Sequence, residues 1–309
     1  MAYSTLVARI EAMKGETFGT TELSRVKHLV NERAWSAYRE CAYWENMMVT
    51  EDRTIDNSGS QLAVPYVGYV SESTAGVHND SADDADEFLR IFRNDPYAGT
   101  NAHQEYEFYS TGDGAVLASN EFGYGQSTAV SSVSVSGSTV TVTLTSTYRD
   151  VYAGGTFQLN DVATSLGDVN GTHTVATVDD GYYLTNATTR FTFTLAGITA
   201  GSPVVTGATA LFPTAFCFYR KRLSTTTYGD GSGETTTVPS EWAQYIIHGV
   251  MADILRNDQN FEAAALEDRN AERKLQLELE RIQRMRATQM IGKRIRTHGT
   301  DQGRFTSNY

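Results

Sequence analysis

Val133-Ser-Val-Ser-Gly-Ser-Thr-Val-Thr-Val-Thr-Leu144 alternates apolar and hydroxyl side chains on both sides of Ser136-Gly137-Ser138. A period of two puts Val133, Val135, Val140, Val142 and Leu144 on one face of a pleated ribbon, so the stretch predicts a β-hairpin. Its surroundings share the bias: between residues 123 and 208, 18 of 86 residues are threonine, none is lysine and only seven are charged. Further short strands are expected at Thr156 to Leu159, His173 to Val178, Tyr182 to Leu184 and Arg190 to Leu195, parted by Gly, Asn and Asp turns. Strands at this spacing predict a small sandwich or barrel.

On either side the composition reverts. Gln61 to Val70 is rich in β-formers, and Gln104 to Leu117 predicts a hairpin around Thr111-Gly-Asp-Gly. Phe212 to Leu223 resumes an aromatic strand, followed by the glycine turn at 228–233 and a threonine strand to Val238. Host-like sequence on both sides of a biased segment predicts an insertion into a surface loop, one that can be excised and replaced by a Gly-Ser linker.

The five prolines, at 65, 96, 203, 213 and 239, leave both ends of the chain free to be helical. Leu6, Ile10 and Met13 predict a short amphipathic helix, ended by Gly15 and Gly19. Leu23, Val26, Val30, Ala34, Ala37, Cys41, Trp44 and Met48 fall three and four apart, which predicts a helix of about 28 residues and roughly 42 Å. Asp83 to Phe92, acids first and apolar residues after, predicts a third helix, with its acids at the positive end of the dipole.

Pro239-Ser-Glu opens a fourth helix with Trp242, Tyr245, Ile246, Val250, Ile254 and Leu255 on its buried side. After the polar break at Asn257-Asp-Gln-Asn, a fifth helix runs from Phe261 to about Gln289, with Leu275, Leu279, Ile282 and Met285 as its seam and Gly292 as its stop. The expected fold class is α+β: a helical bundle with a small antiparallel sheet, plus an inserted all-β, sandwich-like domain. The expected division is a host at 1–122 and 209–290, an insert at 123–208 and a basic tail at 291–309.

At 309 residues, 40% hydrophobic and 20% charged, the chain has the composition of an ordinary globular protein of about two domains. Its net charge of −12 argues against a surface built to grip nucleic-acid phosphates. Cys41 and Cys217 stand far apart among hydrophobic neighbours, without Cys-x-x-Cys spacing, and read as buried free thiols. The N-terminus lacks the basic start and apolar run of a secretory signal, and no stretch of apolar residues is long enough to span a membrane.

Nothing in the sequence argues for catalysis. The histidines at 28, 78, 103, 173, 248 and 298 form no His-x-x-x-His pair and flank no Cys or Glu ligand set, so no metal site is expected. Asn79 to Glu87 has calcium-loop acids without the glycine at the sixth position and reads as helix capping. Gly229, Gly231 and Gly233 precede a strand instead of a helix N-terminus, so they read as a hairpin tip with no cofactor to hold. No Gly-x-Ser-x-Gly elbow occurs. The expectation is a protein that is not an enzyme and has no cofactor.

The aromatic residues Trp35, Tyr38, Tyr43 and Trp44, at helical spacing with no basic interleaving, read as core and not as a base-stacking platform. Trp35 and Trp44, with Trp242 and Tyr245, are the expected packing residues of the bundle. The tail reverses the charge of the protein: Lys293, Arg294, Arg296 and Arg304 against Asp301 give +3 over 291–309, with Phe305 and Tyr309 near the end. It reads either as a solvated terminus or as a docking arm that orders in an acidic groove, with Lys293, Arg294, Arg296, Arg304, Phe305 and Tyr309 as its contacts.

Two N-terminal helices, a β-containing middle, then Val238-Pro-Ser-Glu-Trp, Tyr245-Ile-Ile-His-Gly-Val-Met-Ala-Asp-Ile-Leu and a long charged helix resemble the head-to-tail adaptor proteins of tailed bacteriophages. In that family a proline and an acid open a helix whose small and apolar face packs against the N-terminal helices. Gly154-Gly-Thr-Phe-Gln-Leu, Val169-Asn-Gly-Thr-His-Thr-Val and Thr189-Arg-Phe-Thr-Phe-Thr-Leu are similar to the Ig-like β-modules of phage tail and neck proteins, although Ala153-Gly-Gly stands where those often begin Val-Gly-Asp.

The resemblance implies a virion protein of the neck, made in the host cytoplasm. It implies a homo-oligomeric, dodecameric ring beneath the portal protein, a downstream tail or nozzle protein below, and DNA passing along the axis without specific binding. The docking arm is then expected to enter the portal. Two alternatives stay open: a tail or fibre-attachment protein, and a carbohydrate- or host-surface-binding module carried by 123–208.

Overall fold

The computed structural model describes residues 1–66, 85–96, 104–145, 151–163, 165, 167–179, 188–223, 228–229 and 236–305; of residue 126 and of 286–305 it describes the backbone. The expected strand at Tyr182 to Leu184 and the ends of the expected segments at 67–70 and 83–84 lie outside these residues. The chain divides into two compact units, Met1–Asn46 with Leu223–Tyr309, and Met47–Arg222.

The first unit is helical and is built from both ends of the chain. Its helices are α1 (Tyr3–Lys14), α2 (Thr20–Glu40), α3 (Ser240–Asn257) and α4 (Phe261–Phe305). Leu6 and Ile10 of α1 are fully buried, while Met13 is 40% exposed. α2 is 21 residues long and ends at Glu40, short of the expected rod. Cys41 is extended, and the Trp44 indole N–H folds back to donate to the Ala37 carbonyl at 2.8 Å, taking up an acceptor that the last helical turn leaves open. Met48, expected at the far end of the helix, starts a strand. α3 begins at Ser240, with Pro239 before it, and buries Trp242, Tyr245, Ile246, Val250 and Ile254. α4 turns back along α3 and buries Ala264, Ala271, Leu275 and Ile282. It does not stop at Gly292 but continues to Phe305.

The second unit corrects the expected fold class. It is no small sheet beside a bundle but a large, curled antiparallel sheet of nine strands with a three-stranded companion. Its strands are β1 (Met48–Thr54), β2 (Ala63–Pro65), β3 (Ala85–Phe92), β4 (Phe108–Ser110), β5 (Gly114–Leu117), β6 (Gly123–Ser136), β7 (Thr139–Leu144), β8 (Thr156–Asn160), β9 (Gly171–Thr174), β10 (Thr177–Val178), β11 (Arg190–Thr194) and β12 (Thr209–Lys221). The nine run β10-β11-β7-β6-β12-β8-β9, with β1 and β3 also paired to β12; β2-β5-β4 form the smaller sheet.

The segment expected as a third helix is strand β3. Its pairing with β12 shifts register twice, between Phe218 and Tyr219 and between Arg220 and Lys221. Each shift inserts a residue into β3, which stretches the strand period locally from two to three. Ala85, Phe88 and Ile91 therefore face one core at a spacing of three, the interval that imitates a helical stripe.

β12 is the spine of the unit. Its first half pairs with β6 and β8, and its second half with β1 and β3. Ala210 and Phe212 lie in a core with Val133, Val140, Val142, Phe157, Phe191 and Phe193. Ala215, Cys217 and Tyr219 lie in a second core with Ile55, Phe88, Ile91, Ala115 and Leu117. Even-numbered residues serve one core and odd-numbered residues the other, so the two cores lie on opposite faces of one strand. The change-over falls where β6 carries a bulge at Gly125, between the pairs Phe212–Gln126 and Pro213–Tyr124. A Cβ at Gly125 would stand 2.2 Å from Thr214 Oγ1, so the bulge needs glycine.

The threonine-rich segment thus belongs to the host sheet through β12, and its sandwich-like core includes residues beyond 208. The excision expected to be tolerated is better cut after the change-over. Joining Phe122 to Thr214 needs only a short connection, because Gly123, the neighbour of Phe122, already faces Thr214 across the ladder. We expect deletion of 123–213 to keep a cooperative urea transition. Deletion of 123–208 leaves Ala210 and Phe212 bare and should melt at lower denaturant; equal midpoints would contradict the shared-strand arrangement.

Candidate functional site

Among the described residues no group of three or more His, Cys, Asp or Glu side chains is placed to hold a metal ion. Two of the described histidines, His248 and His173, have pairing or packing roles. His248 Nδ1 lies 2.6 Å from Glu267 Oε2 and ties α3 to α4. His173 is stacked 4.2 Å from Phe193, with Nε2 2.9 Å from the Val169 carbonyl. Asp86 and Glu87 of the acidic stretch both pair with Arg220, while 79–84 lie outside the described residues. Of the glycine run, Gly229 is described and Gly231 and Gly233 are not. The neighbouring Tyr228 is clamped through its backbone, its N–H donating to Asn31 Oδ1 at 3.0 Å and its carbonyl accepting from Asn31 Nδ2 at 2.8 Å.

The structure brings the four expected packing aromatics into the helical unit. Trp44 and Trp242 meet edge to face at 5.7 Å, Tyr38 reaches Trp242 at 6.4 Å, and Trp35 meets Tyr38 at 5.6 Å. Tyr245 lies 6.0 Å under the Arg33 guanidinium. Trp35 is only half-buried: it lines an open groove with His28, Glu32, Ser36 and Arg39, and the Arg39 guanidinium stands 5.0 Å over its ring.

Beside these aromatics runs an ion network that the sequence reading missed. Arg33 of α2 donates to both carboxylate oxygens of Asp253 on α3, at 2.9 and 2.7 Å, and to Asp268 of α4 at 3.1 Å. Arg256 pairs with the same two carboxylates. One bidentate arginine thus ties three helices together. Arg33 and Asp253 are visible in the sequence only as two charged helical residues among others, and a pairing across more than 200 residues cannot be seen in local periodicity.

The outer face of the host sheet was also hidden. Asp52 of β1 faces Phe216 of β12, which faces Phe92 of β3; in the next row Thr50 faces Phe218, which faces Arg90. Phe92, Phe216 and Phe218 form a contiguous row, at 5.6 Å from Phe92 to Phe218 and 5.6 Å from Phe216 to Phe218. Phe216 and Phe218 are half-buried, and Asp52 and Thr50 are exposed. Arg90 is engaged by Glu105 through two bonds of 2.8 and 2.7 Å. Desolvation, and then the Asp95 charge, push the Asp52 carboxyl above the usual range.

In the threonine-rich region, a second open groove is lined by Val130, Val133, Ser131, Ser134, Pro203 and Val204. Its described lining holds hydroxyls and aliphatic groups but no aromatic ring on which a sugar could stack.

The thiols differ in environment. Cys217 is buried in the second core, where desolvation drives its pKa well above the ordinary thiol value, while Cys41 is half-buried at the end of α2. Thiolate is the reactive form. We expect one thiol to react with an aromatic disulfide reagent in the native protein and the second only in denaturant; rapid native labelling of Cys217, located by peptide mapping, would contradict the buried placement.

The expected docking contacts occupy the end of α4 and beyond. The structure describes the helical backbone at Lys293, Arg294, Arg296, Arg304 and Phe305, while Tyr309 lies outside the described residues. The tail expected to follow a helix stop at Gly292 is instead helical to Phe305, and 45 continuous helical residues from Phe261 rise about 67 Å. Among the described residues no helix is long and apolar enough to cross a membrane. No protein-family model, no curated protein and no solved structure matches the chain.

Proposed function

We propose that the chain is a structural, ring-forming subunit of the head-to-tail junction of a tailed phage, set between the portal protein and a downstream tail protein. The observation that carries this reading is the build of the helical unit. The segment Pro239-Ser-Glu-Trp opens α3, and the small and apolar residues Trp242, Ala243, Gly249, Val250 and Ala252 are buried there. Trp242 packs on Tyr38 and Trp44, which come from the N-terminal part of the chain. This is the packing that the resemblance to adaptor proteins leads one to expect.

The charge balance agrees with a conduit: a net of −12 repels phosphates and lets DNA pass without being held. The role needs no catalytic group and no cofactor. Location in the virion neck and a dodecameric ring belong to the same proposal.

The test is direct. The full-length protein, mixed with purified portal rings of the same phage, should co-sediment with them and appear in electron micrographs as a second ring coaxial with the first. Absence of portal binding at micromolar concentration would overturn the reading.

A further inference from the structure

Charge is unevenly distributed along the chain. Unit Met47–Arg222 holds eight basic and 19 acidic residues, a net of −11, nearly all of the −12 of the whole protein. By contrast, residues 281–305 hold seven basic residues, Arg281, Arg284, Arg286, Lys293, Arg294, Arg296 and Arg304, against Asp301, a net of +6. Those residues form the end of α4.

That end has outrun its packing partner. Arg281 stands 4.0 Å from Glu241, in the first turn of α3, and Ile282 is the last buried position described on α4. Met285 is already 47% exposed. From Ile282 to Phe305 the helix therefore continues past the start of α3 for roughly 35 Å. Its sequence adds apolar positions, Met290, Ile291 and Ile295, to the basic ones.

The outer face of the host sheet offers the complement. Its Phe216 and Phe218 are half-buried, with Asp52 beside them on β1 and Asp95 just past the end of β3. No cation among the described residues pairs with Asp52. Desolvation, and then the charge of Asp95, hold the Asp52 carboxyl above the usual range.

We propose that the basic end of α4 docks on the Phe216–Phe218 face, beside Asp52 and Asp95, of a second copy of this chain. Each copy then carries one donor helix and one acceptor face. Such a contact is heterologous, and repetition closes it into a ring or extends it into a filament. The segment's apolar content suits the phenylalanines and its net charge of +6 suits the acids, which speeds the encounter. The inference rests on the ring reading above only in that copies associate; what the ring is attached to does not enter.

The experiment uses the full-length protein and two charge-reversed variants: D52K/D95K on the face, and K293E/R294E/R296E on the helix. Sedimentation velocity at about 50 mM and about 500 mM salt measures self-association. Wild type should associate and weaken at the higher salt, and each variant alone should lose at least about tenfold in apparent affinity. An equimolar mixture of the two should recover association, since reversed helix meets reversed face and native helix meets native face. Wild type that stays monomeric, a variant that associates like wild type, or a mixture that fails to recover would each overturn the proposal. Should the reversed face prevent folding, as circular dichroism would show, D52N/D95N decides by the same criterion with a smaller loss.

Portal binding by the same samples separates the two readings. Variants that lose self-association while single copies still bind portal leave the adaptor reading intact, and self-association without portal binding overturns the adaptor reading alone.

Discussion

Trp242→Ala should destabilise the helical unit by about 3–5 kcal/mol, a large part of the roughly 5–15 kcal/mol that holds a domain folded. Trp242 is fully buried between Trp44 and Tyr38, in edge-to-face contact with both. Removing the indole opens a cavity lined by rigid rings that cannot collapse to fill it. The indole N–H of Trp242 is buried without an acceptor, so no hydrogen bond is lost with the ring. Trp242→Phe should accordingly be mild, about 1–2 kcal/mol. Trp44→Phe forfeits the bond to the Ala37 carbonyl as well as volume and should be the worse of the two. Urea titration followed by helical circular dichroism orders the three variants; Trp242→Phe as damaging as Trp242→Ala would refute the cavity account.

Phe157→Ala should cost the β unit a similar amount, about 3–5 kcal/mol. Its ring is the hub of the first core, at 4.9 Å from Phe191, 5.4 Å from Phe193 and 6.1 Å from Phe212. Its loss removes the ring packing of β8 against both β11 and β12. The second core lies on the other face of β12 and contains none of these residues. Native-state hydrogen exchange should therefore show β7, β8 and β11 losing most of their protection while β1 and β3 lose less. Uniform loss across all five strands would mean that the two cores do not behave as separable cooperative regions.

The elements legible in the sequence are those whose periodicity is unbroken. The hairpin at Val133 to Leu144 was readable because its alternation is regular and Gly137, with φ +61°, supplies its turn. α1 and α3 were readable from their apolar stripes and from the glycine and proline at their ends. Two segments misled for physical reasons. The bulges of β3 gave a strand the spacing of a helix, and Trp44, at a helical interval from Ala37, bonds to it from outside the helix.

β1 was hidden too, since Met48-Val-Thr-Glu-Asp-Arg-Thr54 carries charges where a buried strand would carry valines. With β1 and β3 misread, the host sheet looked small and the threonine-rich strands looked separate. The row Asp52–Phe216–Phe92 depends on the register of three strands far apart in sequence, which no local pattern encodes. At the other end, Gly292 was read as a stop, yet the helix passes through it.

The place of β12 in chain order has a consequence for biosynthesis. β1, β3, β6 and β8 all pair with a strand that begins at Thr209, after every other strand of the sheet has been made. Until Lys221 has left the ribosome, both cores lack their common wall and four strands present unpaired edges. The helical unit waits longer still, because its first 46 residues meet their partners only after Leu223. A chain with so many long-range contacts folds slowly and, while nascent, is exposed to edge-to-edge aggregation. The strong negative charge of the β unit disfavours association of those waiting strands.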